Sequence, residues 1–173
     1  MLPALALVAL AVPQPATQEQ RGALPVKDDY ATLHFQTSIG SGRSIRSSGR
    51  LQVSFKGSIV IRELKGTAQL AGNLRKEFEK DGYISYFGQG TITLNGEWTS
   101  AYFFGTGIKG VWYGRGLMRV AGEFDQNLET GTYWYDDPTQ KYFFPSSTTT
   151  LIELPQKAMQ TRANLKARPM SEY

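Results

Sequence analysis

The sequence predicts an all-β fold, read as a parallel β-solenoid with three short strands in each coil of about 25 residues. Three observations carry that expectation. Apolar side chains alternate with polar ones over most of residues 50–154, the period of a strand with one buried face. A motif of the form Gly-x-apolar-x-apolar-x-Gly-x-large apolar returns as GTAQLAGNL from Gly66, GTITLNGEW from Gly90 and GLMRVAGEF from Gly116. Gly57, Gly82, Gly107 and Gly131 follow one another at a near-constant interval, and each interval holds three strand-length segments.

The elements follow in order along the chain. Met1 to Pro13, MLPALALVALAVP, is apolar, too short to span a bilayer, and of signal-peptide length, with small-x-small cleavage patterns near Ala11 and Ala16; residues 1–16 are therefore expected to be a signal peptide. Residues 17–49 form a polar segment with one strand, Ala31 to Gln36, and then a loop, SIGSGRSIRSSG. Residues 50–154 form the repetitive β domain. Its inward residues read as Leu51, Val53, Phe55, Ile59 and Ile61, then Ala68, Leu70, Leu74 and Phe78. A third inward run is Ile84, Tyr86, Ile92, Leu94, Trp98, Tyr102 and Phe104, and a fourth is Met118, Val120 and Phe124. Residues 155–173 read as a basic, loosely held tail.

Three segments per repeat favour a parallel coil, because an odd number of antiparallel strands would reverse direction from one repeat to the next. In such a coil Ile92 would lie over Met118 and Leu94 over Val120, with glycines marking corners where a Cβ would crowd the next rung. The alternative is an antiparallel sandwich or barrel, with hairpins at Lys80-Asp81-Gly82, Asn95-Gly96 and Asp125 to Gly131. The glycine-punctuated alternation resembles β-helical and bactofilin-type repeats, on features too generic to carry any residue role across.

Charge and composition narrow the function classes. The net charge of +4 resides in the flanks: residues 49–154 hold eleven basic and eleven acidic side chains. No nucleic-acid partner is expected from that balance. The chain has no cysteine and one histidine, His34, which removes thiolate sites and any multi-histidine metal centre. GTGIKG from Gly105 matches a dinucleotide fingerprint, but strand-like residues follow it where a helix is required. No cofactor is expected.

Two groups of residues stand as candidate sites. Trp112, Tyr113, Tyr133, Trp134 and Tyr135 form aromatic runs whose outward members could meet a sugar or a protein surface. Glu97 and Glu123 hold equivalent repeat positions, and a parallel coil would set them side by side as an acidic pair. Asp136-Asp137 before Pro138 reads as a turn. The expected function is that of an exported, non-enzymatic protein with a structural or surface-binding role in the cell envelope, its partner an envelope polysaccharide or another envelope protein. The alternatives are a carbohydrate-active enzyme using Glu97 and Glu123 or Asp136 and Asp137, and a small-ligand carrier should the fold be a closed barrel. No segment beyond the leader is apolar enough to cross a membrane as a helix.

Overall fold

In the computed structural model, which describes residues 31–144 and 149–154, seven strands form one antiparallel sheet. The expected leader at 1–16 and tail at 155–173 lie outside the described residues. There is no helix among the described residues, as the alternation implied. The parallel solenoid is contradicted, since every strand pair runs antiparallel.

The frame is a single long hairpin. Its first arm comprises β1 (Leu33–Arg62), β2 (Lys65–Gly72) and β3 (Arg75–Lys80), and its second arm is β4 (Tyr83–Gly122). Asp81 and Gly82 turn between the arms, both with positive φ, as the sequence Lys80-Asp81-Gly82 suggests. From Gly40↔Gly122 to Lys80↔Tyr83, the numbers of facing residues add to 162 or 163 throughout.

The hairpin then winds on itself. The outer edge of β1 pairs with β4 a second time, in a register whose numbers add to 145, from Leu33↔Trp112 to Arg62↔Tyr83. Phe104 thus lies between Ser41 and Ser58. One turn of the coil takes the chain only from Ser41 to Ser58, shorter than the glycine interval implied, and it holds two segments, not three. Leu94 lies between Leu51 and Ala68, and Val120 between Gly42 and Thr150, so the expected stacking of Leu94 on Val120 does not occur. Asn95-Gly96 is no turn; it passes straight through β4.

Glycines stand where each turn bends. One file of hydrogen-bonded neighbours runs Gly66, Gly96, Gly49, Gly114; the other runs Gly88, Gly57, Gly105, Gly40, Gly122. Between the two files the sheet presents two faces. The first carries the inward column Leu94, Leu51, Trp112, Leu33, and is extended by β5 (Thr132–Tyr135) and β6 (Tyr142–Phe143). The second carries Ile61, Ala101, Ser44, Met118, and is extended by β7 (Thr150–Leu154). Phe35 of the first face stacks on Phe103 of the second at 5.7 Å, so the faces close on a shared core. The arrangement is an open, two-faced antiparallel fold, in keeping with the sandwich alternative.

Bulges set which side chains point inward. Arg46 and Ser47 together oppose Gly116, and Arg46 adopts a φ of 47°. In the second register Arg46 and Thr99 face one another unpaired between Ile45↔Ser100 and Ser47↔Trp98. The alternation in β4 slips there. Trp98 points in, but the next buried residues are Ala101 and Phe103, and Tyr102 and Phe104 turn to solvent. This corrects the inward reading of Tyr102 and Phe104. The Ser/Gly-rich stretch 38–49, expected as a loop, is strand: its small residues occupy corners and bulges.

Of the other inward expectations, Leu51, Val53, Phe55, Ile59, Ile61 and the Ile92–Leu94–Trp98 set are buried. Leu70 and Phe78 are exposed, because β2 and β3 are edge strands with no further turn of the coil above them.

One buried polar contact ties the arms together. The Trp98 indole N–H donates to Ser44 Oγ at 2.7 Å, with both residues inside the core. Ser44→Ala would strand that donor away from water, at a cost of about 1–3 kcal/mol. Urea unfolding followed by tryptophan fluorescence checks it; an unchanged midpoint would mean the indole finds another acceptor.

Candidate functional site

Strand alternation divides the expected aromatic surface. Trp112 is fully buried, its Nε1–H donating to the Ser48 carbonyl at 3.4 Å. Tyr133 and Tyr135 are buried as well, edge to face at 6.3 Å, and Tyr133 stacks on Phe144 at 6.0 Å. Burial pushes the Tyr133 hydroxyl up to about 12 and raises that of Tyr135 further, with neighbouring tyrosines adding to both. These three rings are core.

Trp134 and Tyr113 turn outward on the first face and are partly exposed. Trp134 is already engaged. Its strand neighbour His34 lies parallel to it at 5.2 Å, and Lys141 lies over its ring at 5.4 Å. Lys141 also pairs with Glu129, holding that carboxyl below its usual range. Burial lowers the His34 pKa, and the Asp136 carboxylate partly opposes that. The cluster is a strut between β1, β5 and the loop before β6.

The glutamates are not brought together. Glu97 follows Gly96 on one glycine file and faces Ser48 and Lys65. Glu123 follows Gly122 on the other file, its N–H donating to the Ile39 carbonyl at 3.1 Å. Their adjacency depended on parallel rungs. Asp137 caps the turn before β6, its Oδ1 accepting from Thr139 N–H at 2.9 Å, while Asp136 Oδ1 accepts from Thr32 N–H at 2.8 Å, just before the start of β1. Gly105 to Gly110 lies within β4, with no helix after it. Among the described residues no three His, Cys, Asp or Glu side chains converge on a common point suited to a metal ion.

A cleft that alternation alone does not reveal lies at the corner beside Gly40 and Gly122. It measures about 600 Å³, and its apolar walls are Ile39, Phe124, Phe143 and Phe144. Ile39 is 51% exposed and Phe124 38% exposed. Phe124 and Phe143 lie 5.1 Å apart at a tilt of 38°, forming one wall. Ser41 and Glu123 supply the polar side chains of the rim. The hairpin Asp125↔Thr130, anticipated from DQNLETG, carries the chain from this cleft to β5. Three causes build the site: the glycine corner leaves no side chain to fill it, the strand ends there, and the returning chain brings Phe143 back across it. Its volume falls within the range of small-molecule sites, and it lies open to solvent.

No protein-family model, curated protein or solved structure matches the chain.

Proposed function

We propose that this chain is a small-ligand carrier whose site is the cleft of Ile39, Phe124 and Phe143. The observation that carries the reading is an open apolar cavity of about 600 Å³ rimmed by a hydroxyl and a carboxylate. The sequence favours a carrier only for a closed barrel with a hollow interior. Here the interior is filled by Phe35, Leu51, Leu94, Phe103 and Trp112, and the available volume is at the corner instead. The lining suits a flat or short apolar molecule, neutral or cationic, with a donor toward Glu123. The apolar stretch Met1 to Pro13, expected as a signal-peptide core, supports an exported setting. The enzyme reading on Glu97 and Glu123 draws no support from two residues on separate corners.

The test is titration of the wild-type chain with Nile red, a neutral apolar dye, read by its fluorescence. Saturable binding is expected, weakened about tenfold by Phe124→Ser, since losing one ring from the wall removes roughly 1.4 kcal/mol or more. Ile39→Ser should act in the same direction. Binding that neither substitution alters, or no saturable binding, overturns the assignment.

A further inference from the structure

The two outer faces differ in kind. The outer surface of the first face is mostly polar: one file runs Gln69, Thr93, Gln52, Val111, His34 and Trp134, its rings already engaged with each other and with Lys141. That of the second face is not. The slip at Thr99 turns Tyr102 and Phe104 out, 40% and 43% exposed and 5.5 Å apart. The file through Tyr102 runs Val60, Tyr102, Arg43, Arg119, Leu151, and Leu151 is 58% exposed. The next file adds Phe87, also exposed, beside Phe104 across Ser58.

The centre of this face is basic, and Glu153 shares the file of Arg62 through Ser100, Ile45 and Leu117. Arg43 and Arg119 face each other directly across the ladder, both exposed, and neither forms an ion pair among the described residues. Directly opposed like charges destabilise a sheet. Arg62 lies over the Tyr83 ring on the following file. The carboxylates nearby are Glu153, at the β7 edge, and Glu63, which is already bound by Thr99 and Arg62. An apolar, ring-bearing surface and an uncompensated guanidinium pair together conflict with the fold's own stability, as binding surfaces do.

We propose that the outer surface of the second face docks on an anionic bilayer surface. Arg43 and Arg119 would meet lipid phosphates, while Tyr102, Phe104 and Leu151 enter the headgroup boundary. A single-stranded nucleic acid is the competing anionic partner. It needs ring faces laid out for successive bases, whereas these two rings tilt 33° against each other and aliphatic side chains fill the ends of the file. The inference is independent of the cleft.

The experiment is sedimentation of the full chain with phosphatidylcholine vesicles, with and without phosphatidylglycerol. Binding is expected only where phosphatidylglycerol is present. The double variant Arg43→Gln, Arg119→Gln should weaken it about thirtyfold, the effect of removing two basic contacts, and Arg43→Lys, Arg119→Lys should restore most of it. Tyr102→Ser with Phe104→Ser should weaken it comparably without moving the unfolding midpoint by more than a surface change does. Equal partition onto both vesicles, wild-type binding by the glutamine variant, or capture of an oligonucleotide in preference to the vesicles would each overturn the proposal.

Discussion

Gly49→Ala is expected to cost roughly 3 kcal/mol or more, one of the largest effects of any single methyl group in this chain. Gly49 lies in the middle of a glycine file, bonded to Gly96 on one side and Gly114 on the other. Its φ is +112°, a conformation that L side chains rarely adopt. A Cβ there would also fall on the Tyr113 carbonyl oxygen and against Gly114 Cα. The obstructing atoms are backbone, hydrogen-bonded on both edges, so they cannot swing aside as a side chain would. Gly107→Ala is the control. Gly107 has a φ of +60°, but no atom stands within 4 Å of where its Cβ would be. It should lose about 1 kcal/mol for the left-handed backbone and nothing for space. Urea unfolding at constant m measures both. Equal losses would mean that the glycine file relieves φ strain alone and does not set the approach of neighbouring turns.

That file was legible in the sequence, but as the wrong multiple. Glycines stand at 40, 49, 57 and 66, then at 88, 96, 105, 114 and 122, at a nearly even spacing. Each interval is half a turn of the coil. Three half-turns, as from Gly40 to Gly66 or from Gly88 to Gly114, make up the longer period that the repeated motif displays. Such a step lands on glycine every time while passing from one face to the other. The direction of winding was harder to extract, since parallel and antiparallel coils both set glycine against glycine. What separates them is mirror placement: 40 with 105, 49 with 96, and 57 with 88 are the pairs that meet. Asp81-Gly82 provides the reversal this requires, and its hairpin chemistry points to the antiparallel alternative. The candidate site was less legible. Phe124 carries the alternating pattern but lies past the last corner, where the sheet no longer covers it. Phe143 reaches the cleft only through pairing between β5 and β6, two strands too short to leave a period. The face with Tyr102 and Phe104 was hidden by the unpaired position at Thr99 and Arg46, where the alternation of both strands slips together without any change in register or composition.

Phe103→Ala and Phe104→Ala read out where the alternation of β4 slips. Alternation carried on from Trp98 through Tyr102 buries Phe104 and exposes Phe103; the slip at Thr99 does the reverse. Phe103 is fully buried, stacked within 13° of parallel on Phe35, and its ring fills the space that Gly42 leaves open. Removing it empties the contact between the two faces, and Gly42 has no side chain with which to close the gap. The expected loss is about 3–5 kcal/mol, enough to unfold a domain of ordinary stability. Phe104 stands 43% exposed on the outer surface, touching Tyr102. Its loss should fall within about 1 kcal/mol, the range of a surface ring contact. The pair differs by one position and carries the same side chain, so composition and intrinsic strand preference cancel. Calorimetric melting of the two variants gives the comparison directly. A larger drop for Phe104→Ala would return β4 to unbroken alternation, bury the ring offered to the bilayer, and remove the aromatic half of that surface. A larger drop for Phe103→Ala places the slip at Thr99 and leaves Phe104 free to be tested for binding without loss of fold.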